Sequence, residues 1–378
     1  MVAMDMAYRN AVQLHIAEQL ENIYNFNERP RFHIRDDPFE LSERQFRNIF
    51  RLKKETTNRL INIVEDNLIE PSRSSALDAT VQVLAALRFY ASGSYQNCIG
   101  KNIHMAISQP SISRCIRNVT NILNLPEIFN NWVRFPNNLQ ELQQLRNKFW
   151  INHRFPGAIG CIDCTHVAIF PPPKEDENYP EHIYVNRKGY HSINVQLICD
   201  TDLRIMNVNA RYPGSTHDSY IWNNSNVLPI MQDIYNRGHR FFLLGDSGYA
   251  LRPWMMTPII NNDPNIATRR YNDLQMSTRS LIERCNGVLK MRFRCLLKHR
   301  VLHYQPDVCS KIINACTVLH NMCIQDNMPL PEAEDEVLDC GQDGIEDVNE
   351  PGIDMLNRNH ELIAGRRIRN NLIRQYFS

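Results

Sequence analysis

The chain has 378 residues, 43% hydrophobic and 22% charged, with a formal net charge of +1, the make-up of a globular protein with room for roughly two domains. No apolar run approaches the roughly 20 residues of a membrane helix, and the first residues carry an early acid, Asp5, in place of a signal peptide's apolar core. Eleven cysteines, an odd number without framework spacing, fit reduced thiols of the cytosol or nucleus rather than a disulfide scaffold.

Taken in chain order, residues 1–150 read as helical, with apolar periodicity at 11–23, 46–64, 80–91 and 112–123. Within them, Ser108-Gln109-Pro110-Ser111 opens a helix carrying Ser113, Arg114 and Arg117. That pattern suits the recognition helix of a helix-turn-helix over about 80–123, and equally an ordinary capped helix in a bundle. From about Phe155 the character changes to strands. One is expected over 158–170, ended by Pro171-Pro172-Pro173. A hairpin follows, 191–199 and 205–210, joined at Asp200-Thr201-Asp202. A helix is expected after Ser215-Thr216-His217-Asp218, a strand over 240–244, and helices over 278–297 and 306–325. Residues 331–354 hold ten acids and no Lys or Arg and read as a disordered acidic linker. A basic amphipathic helix over 355–377 would close the chain.

The net charge by itself argues against a nucleic-acid partner, but the charge is unevenly placed. Residues 269–300 hold nine Lys or Arg against two acids, Asp273 and Glu283. A basic patch is therefore offset by the acidic segment.

Three acids stand in settings that make them costly to bury without a partner. Asp163 lies in the apolar strand run Gly160-Cys161-Ile162-Asp163-Cys164-Thr165-His166-Val167. Asp246 ends the apolar run 241–245, where an open α/β sheet places its site. Glu283 lies on a helix whose same face carries Arg279, Gly287, Lys290 and Arg294. The opposite face carries Leu281, Ile282, Cys285, Val288 and Leu289, and Arg292 falls on that apolar arc. Carboxylates alone suit magnesium or manganese, and two such ions about 3.5–4 Å apart can hydrolyse a phosphodiester. Lys290, Arg294 and Arg279 would then steer the phosphate backbone. Salt bridges and caps remain the other account of these acids.

Five ordered motifs carry a resemblance: Gly160-Cys161-Ile162-Asp163-Cys164-Thr165-His166, Tyr184-Val185-Asn186-Arg187-Lys188-Gly189-Tyr190-His191-Ser192, Tyr212-Pro213-Gly214-Ser215-Thr216-His217-Asp218-Ser219, Leu244-Gly245-Asp246-Ser247-Gly248-Tyr249, and 283–293, from Glu283-Arg284-Cys285-Asn286-Gly287 to Phe293. Over roughly 160–325 the chain resembles the DDE transposase domain of the PIF/Harbinger family and the host nucleases derived from it. The resemblance implies an α/β, RNase H-like DDE catalytic core over 155–326, with a mixed central sheet, preceded by a helical domain over 1–150. It implies Asp163, Asp246 and Glu283 as catalytic residues binding Mg²⁺ or Mn²⁺, with Asp218 in a motif that belongs to the metal site. Cys164, where plant-type versions often have glycine, looks like the host-derived animal branch, for which nuclease activity without transposition is expected. DNA and a separate Myb/SANT-like DNA-binding protein are the implied partners, the latter supplying nuclear import. Nucleus and cytoplasm are the expected locations.

Other patterns have plainer readings. Cys161 and Cys164 face opposite sides of a strand, without a second such pair to complete a zinc site. Gly245-Asp246-Ser247-Gly248 looks like a protease nucleophile turn, but Ser247 reads as a turn residue. His166, His191 and His217 orient water or phosphate, or are structural. Arg187 and Lys188 contact DNA, or line a solvated loop. A catalytically silent binding module derived from a transposase, and an active transposase, are the competing functions.

Overall fold

The structure, a computed structural model, describes residues 37–68, 77–93, 107–260, 265–330 and 355–378. The expected helix at 11–23 and the acidic segment 331–354 lie outside these residues.

Among the described residues six α-helices precede the sheet: α1 (Glu43–Phe50), α2 (Lys54–Asn67), α3 (Ala79–Ser92), α4 (Gln109–Leu123), α5 (Pro126–Trp132) and α6 (Leu139–His153). The single stretch expected over 46–64 is two helices, because Arg51 takes a left-handed conformation (φ 61°) that ends α1. A capping box at Ser42 and Gln45 starts α1, and the Asp78 carboxylate caps α3 through the Val81 amide. Arg114 and Arg117 of α4 are exposed, while Ile112, Cys115, Ile116 and Val119 are buried.

Among the described residues five strands form one sheet in the order β3-β2-β1-β4-β5: β1 (Ala158–Ala168), β2 (Ser192–Cys199), β3 (Ile205–Pro213), β4 (Phe242–Leu244) and β5 (Met255–Met256). The pairs β1–β2 and β2–β3 are antiparallel, and β1–β4 and β4–β5 parallel. The expected mixed α/β sheet is thus present. Between β3 and β4 run α7 (Asp218–Asn223) and α8 (Val227–Asn236); after β5 come α9 (Ile266–Arg292), α10 (Pro306–Gln325) and α11 (Met355–Tyr376).

The two-residue side-chain period of a strand explains the layering. Cys161 and Val167 of β1, Val195, Leu197 and Cys199 of β2, and Phe242 and Leu244 of β4 enter a core with α1 to α4, α9 and α10. The alternate residues Ile162, Ile198 and Leu243 enter a second core with Leu142 and Leu145 of α6 and Val227 and Met231 of α8, joined by Ile159, which the irregularity between Ala158 and Gly160 turns to that face. With helices on both faces, β2 is buried along its whole length.

α9 starts twelve residues before the expected Thr278, at Ile266, and ends at Arg292 rather than Leu297. Its first turns pack Tyr271, with Ala267 and Leu274 beside it, on the core and are held by polar bonds as well. The Gln275 amide donates to Gly245 O (2.7 Å) and Met256 O (3.2 Å), and the Asn272 side chain pairs with both backbone groups of Ile259. Arg292, the cation on the apolar arc, is 2% exposed and reaches His320 of α10 at 3.5 Å.

Candidate active site

Asp163 has the parity of Cys161 and Val167, so it faces the α9 side of the sheet. In the parallel pairing Cys161 stands opposite Leu244. Asp246 follows Leu244 by two residues, just past the end of β4, as Asp163 follows Cys161 within β1, and its charge reaches the Asp163 carboxyl. Adjacent strands lie about 4.8 Å apart. Gly248 N donates to Asp246 Oδ1 (3.0 Å), so the expected turn at Ser247 is an Asx-type turn that orients this carboxylate.

The helix α9 crosses above both. Cys161 Sγ meets Thr278 O (3.4 Å), and Lys290 Nζ donates to Thr165 Oγ1 (2.7 Å) and His166 O (2.8 Å). These contacts bracket Asp163 on β1, and Glu283 lies between them on the helix. Its carboxylate pairs with Arg279 one turn earlier at 2.5 Å. The Arg279 side chain is 18% exposed and Glu283 47%.

Asp218 begins α7 and is held by β2. Asn194 Nδ2 donates to Asp218 Oδ1 (2.8 Å) and to Thr216 O (2.8 Å). The loop before it fits closely. A Cβ at Gly214 would fall on Ser192 Oγ, and 2.6 Å from Tyr184 O and 2.8 Å from Ser192 O. Beside Asp218 a small recess of about 40 Å³ is lined by His166, Asn186, Arg187, Lys188, Asn194 and the 214–217 loop. Arg187 meets His217 Nδ1 at 2.9 Å.

The charges of this cluster interact. Burial, then the negative charges of Asp246 and Asp218, push the Asp163 carboxyl well above the usual carboxylate range, and Arg279 pulls it back. Burial draws Arg279 down, but Glu283, Asp163 and Asp246 outweigh it and raise its pKa. Burial also holds the Cys164 thiol protonated. The structure therefore brings together Asp163, Asp218, Asp246 and Arg279, with Glu283 bound to Arg279. Lys290 fastens α9 to β1. Arg294 lies beyond α9 in a short 3₁₀ turn, off the helical face expected to carry it.

Among the described residues no three His, Cys, Asp or Glu side chains converge tightly enough to hold a metal ion as they stand. The donor set nonetheless suits a divalent cation. Three carboxylates whose charges oppose one another, with hard oxygen donors only, are stabilised by such an ion.

Comparison with known proteins agrees with this geometry. A family model described as DDE superfamily endonuclease matches residues 162–321. The Homo sapiens protein called "Putative nuclease HARBI1" is 40% identical over 272 residues, covering 71% of this chain and 74% of that protein. The chain belongs to the Harbinger transposase-derived nuclease family of the DDE superfamily. Other family members are similar over comparable lengths. The Mus musculus HARBI1 protein is 38% identical, covering 73% of this chain and 80% of its own, and the Arabidopsis thaliana "Protein ALP1-like" is 24% identical, covering 77% and 74%. No solved structure matches the chain.

Two residues outside the expected set support the family's acids, and a third packs beside Cys164. Gln275, fully buried, grips Gly245 directly before Asp246. Asn194 holds Asp218, and Tyr249 OH lies 3.5 Å from Cys164 Sγ. Asn194 had a signal in the sequence: it is an amide inside the apolar run Ile193-Asn194-Val195-Gln196-Leu197. Gln275 had none, because one more amide among Asn272, Asp273, Ser277 and Thr278 does not stand out.

Proposed function

We propose that this chain is a metal-dependent DNA endonuclease with an RNase H-like catalytic core, hydrolysing phosphodiesters without transposing DNA. The observation that carries the reading is the placement of Asp163 on β1 beside Asp246, which lies two residues past the end of the adjacent parallel strand β4. Asp218 lies within electrostatic reach, and α9 carries Glu283 across the same face. Asp163, Asp218, Asp246 and Glu283 would hold Mg²⁺ or Mn²⁺. When bound, the ions supply an activated water and stabilise the leaving oxygen.

The protein's own residues prepare that chemistry. Asn194 and the Gly248 amide fix the carboxylates of Asp218 and Asp246, and Gln275 fixes the peptide before Asp246. Lys290 locks the helix over β1. Arg187, Lys188 and Arg294 lie near these elements and bind substrate phosphates. Arg279 is the cation that balances the carboxylates before metal enters. With Glu283 as a metal ligand, Arg279 would be the cation available to the substrate phosphate.

This hand-over has a direct consequence. In EDTA, Arg279→Gln should lower Tm by about 2–4 °C, because the carboxylates lose their counter-charge. Added Mn²⁺ should restore more of that loss than it adds to the wild type. Equal Mn²⁺ shifts in the two proteins would show that Arg279 serves packing alone.

The chain's near-neutral charge gives little non-specific affinity for DNA. A Myb/SANT-like partner that supplies DNA binding and nuclear import fits that shortfall, with the protein divided between nucleus and cytoplasm. The test of the enzyme reading is incubation of the purified chain with supercoiled plasmid in Mg²⁺, Mn²⁺ or EDTA. Nicking or linearisation that needs metal supports it. Intact plasmid in every lane, with Mn²⁺ binding demonstrated, favours the silent binding module.

A further inference from the structure

Beside the acids one edge of β1 is met by the Lys290 side chain at His166 O and by no described strand. On the side away from β2, β4 pairs with β1 as far as Cys161. Further along, Leu302 takes up the same edge: Leu302 N donates to Ala168 O (3.1 Å) and Phe170 N to Leu302 O (2.9 Å). Between them, among the described residues, no strand pairs with this edge. The carboxylates stand at one end of the gap and the segment 297–303 at the other. Seven residues of strand separate Asp163 from Phe170, about 23 Å at 3.3 Å per residue.

The far end has an unusual surface. Phe170 is 50% exposed and stacks on His303, with ring centroids 4.9 Å apart and planes 27° apart. Single exposed apolar residues are common, but this ring is held in place. Its amide is bonded to Leu302, and Pro171, Pro172 and Pro173 restrict the chain that follows. The cations Lys298 and Arg300, a few residues before His303 in sequence, are exposed, with His299 between them. Lys298 lies over the Tyr190 ring at 5.0 Å, and Tyr190 in turn meets His166, which lines the recess at Asp218. No acid occurs from Glu283 to Asp307.

A preorganised, solvent-facing aromatic pair with neighbouring cations is what a strand of unpaired nucleotides requires. Bases stack on the ring faces and phosphates meet the cations. Bases inside a duplex are already stacked and cannot use such a platform. We propose that Phe170 and His303, with Lys298 and Arg300, form a stacking platform for unpaired DNA flanking the cleavage site. The platform deepens the nuclease reading and rests on it for its placement beside the cut, although binding is measured apart from cleavage.

The experiment is fluorescence anisotropy of the full chain in EDTA, where cleavage cannot interfere, with three labelled DNAs: single-stranded, blunt duplex, and duplex with a single-stranded tail. The double variant Phe170→Ala/His303→Ala should weaken binding to the single-stranded and tailed DNAs by about tenfold or more. Its blunt-duplex affinity should stay within about twofold of the wild type. Phe170→Trp should retain the wild-type preference, which separates lost stacking from misfolding. Lys298→Ala/Arg300→Ala should weaken all three and reduce the salt dependence by about one to two phosphate contacts. Equal loss on duplex and single-stranded DNA, unchanged single-strand affinity, or a wild type that binds no unpaired DNA would each overturn the platform. Failure of plasmid cleavage with this preference intact would instead remove only the nuclease reading.

Discussion

Asp163→Asn is expected to abolish metal-dependent cleavage, by about three orders of magnitude or more, while the protein stays folded. The amide matches the carboxylate in size but removes the charge that would hold the ions, and metal stabilisation of a phosphoryl transition state is worth several kcal/mol, with each 1.36 kcal/mol equal to tenfold in rate. The stability side has the opposite sign. Burial, Asp246 and Asp218 raise the Asp163 pKa, so its ionised form costs stability in the metal-free protein at neutral pH. In EDTA the variant should therefore melt at or above the wild-type Tm, and the Mn²⁺-induced rise should shrink or vanish. A variant that melts well below the wild type in EDTA would show that Asp163 is structural. Unchanged cleavage would remove it from the site.

Gly214→Ala is expected to damage the site without touching any acid. The added methyl would meet Ser192 Oγ and two backbone carbonyls, Tyr184 O at 2.6 Å and Ser192 O at 2.8 Å. Carbonyls belonging to β2 and the turn before it cannot rotate away as a side chain can, so the 213–218 loop must shift, at about 1–3 kcal/mol. That loop places Asp218 and His217, and the bonds from Asn194 to Thr216 O and Asp218 Oδ1 hold it in register. Misplacement by about 1 Å can cost about 10²-fold in rate. Cleavage should therefore fall by about that factor, with a lower Tm. Adding Ser192→Ala should not rescue it, because the two carbonyls remain. Activity within twofold of the wild type would show that the loop does not position the site.

Much of this arrangement is legible in the sequence because it rests on local periodicity. The alternation along Ser192–Cys199 and Ile205–Pro213 yields the hairpin, and an acid in the apolar run of β1 marks Asp163. Arg292 was visible as a misfit on the apolar arc of α9, and the helix ends at that residue. What was not legible depends on contacts distant in sequence. β5 is two residues long and is defined by its pairing with β4. The first three turns of α9 are fixed by Gln275 and Asn272 reaching the β4–β5 region. Residues 46–64 read as one helix because a left-handed Arg51 leaves little trace in the hydrophobic pattern. At the site, spacing along the chain identifies the acids, but the Arg279–Glu283 pair competes with the metal role expected of Glu283. Helical spacing allowed both outcomes.

The most direct test of the central claim pairs two readouts on two proteins: Mn²⁺ binding, followed by the electron paramagnetic resonance signal of free Mn²⁺, and nicking of supercoiled plasmid, for the wild type and Asp246→Asn. The geometry predicts that the wild type binds Mn²⁺ and nicks the plasmid, and that Asp246→Asn loses both together. Nicking by Asp246→Asn at the wild-type rate, or nicking by the wild type in EDTA, would contradict a site built on these carboxylates.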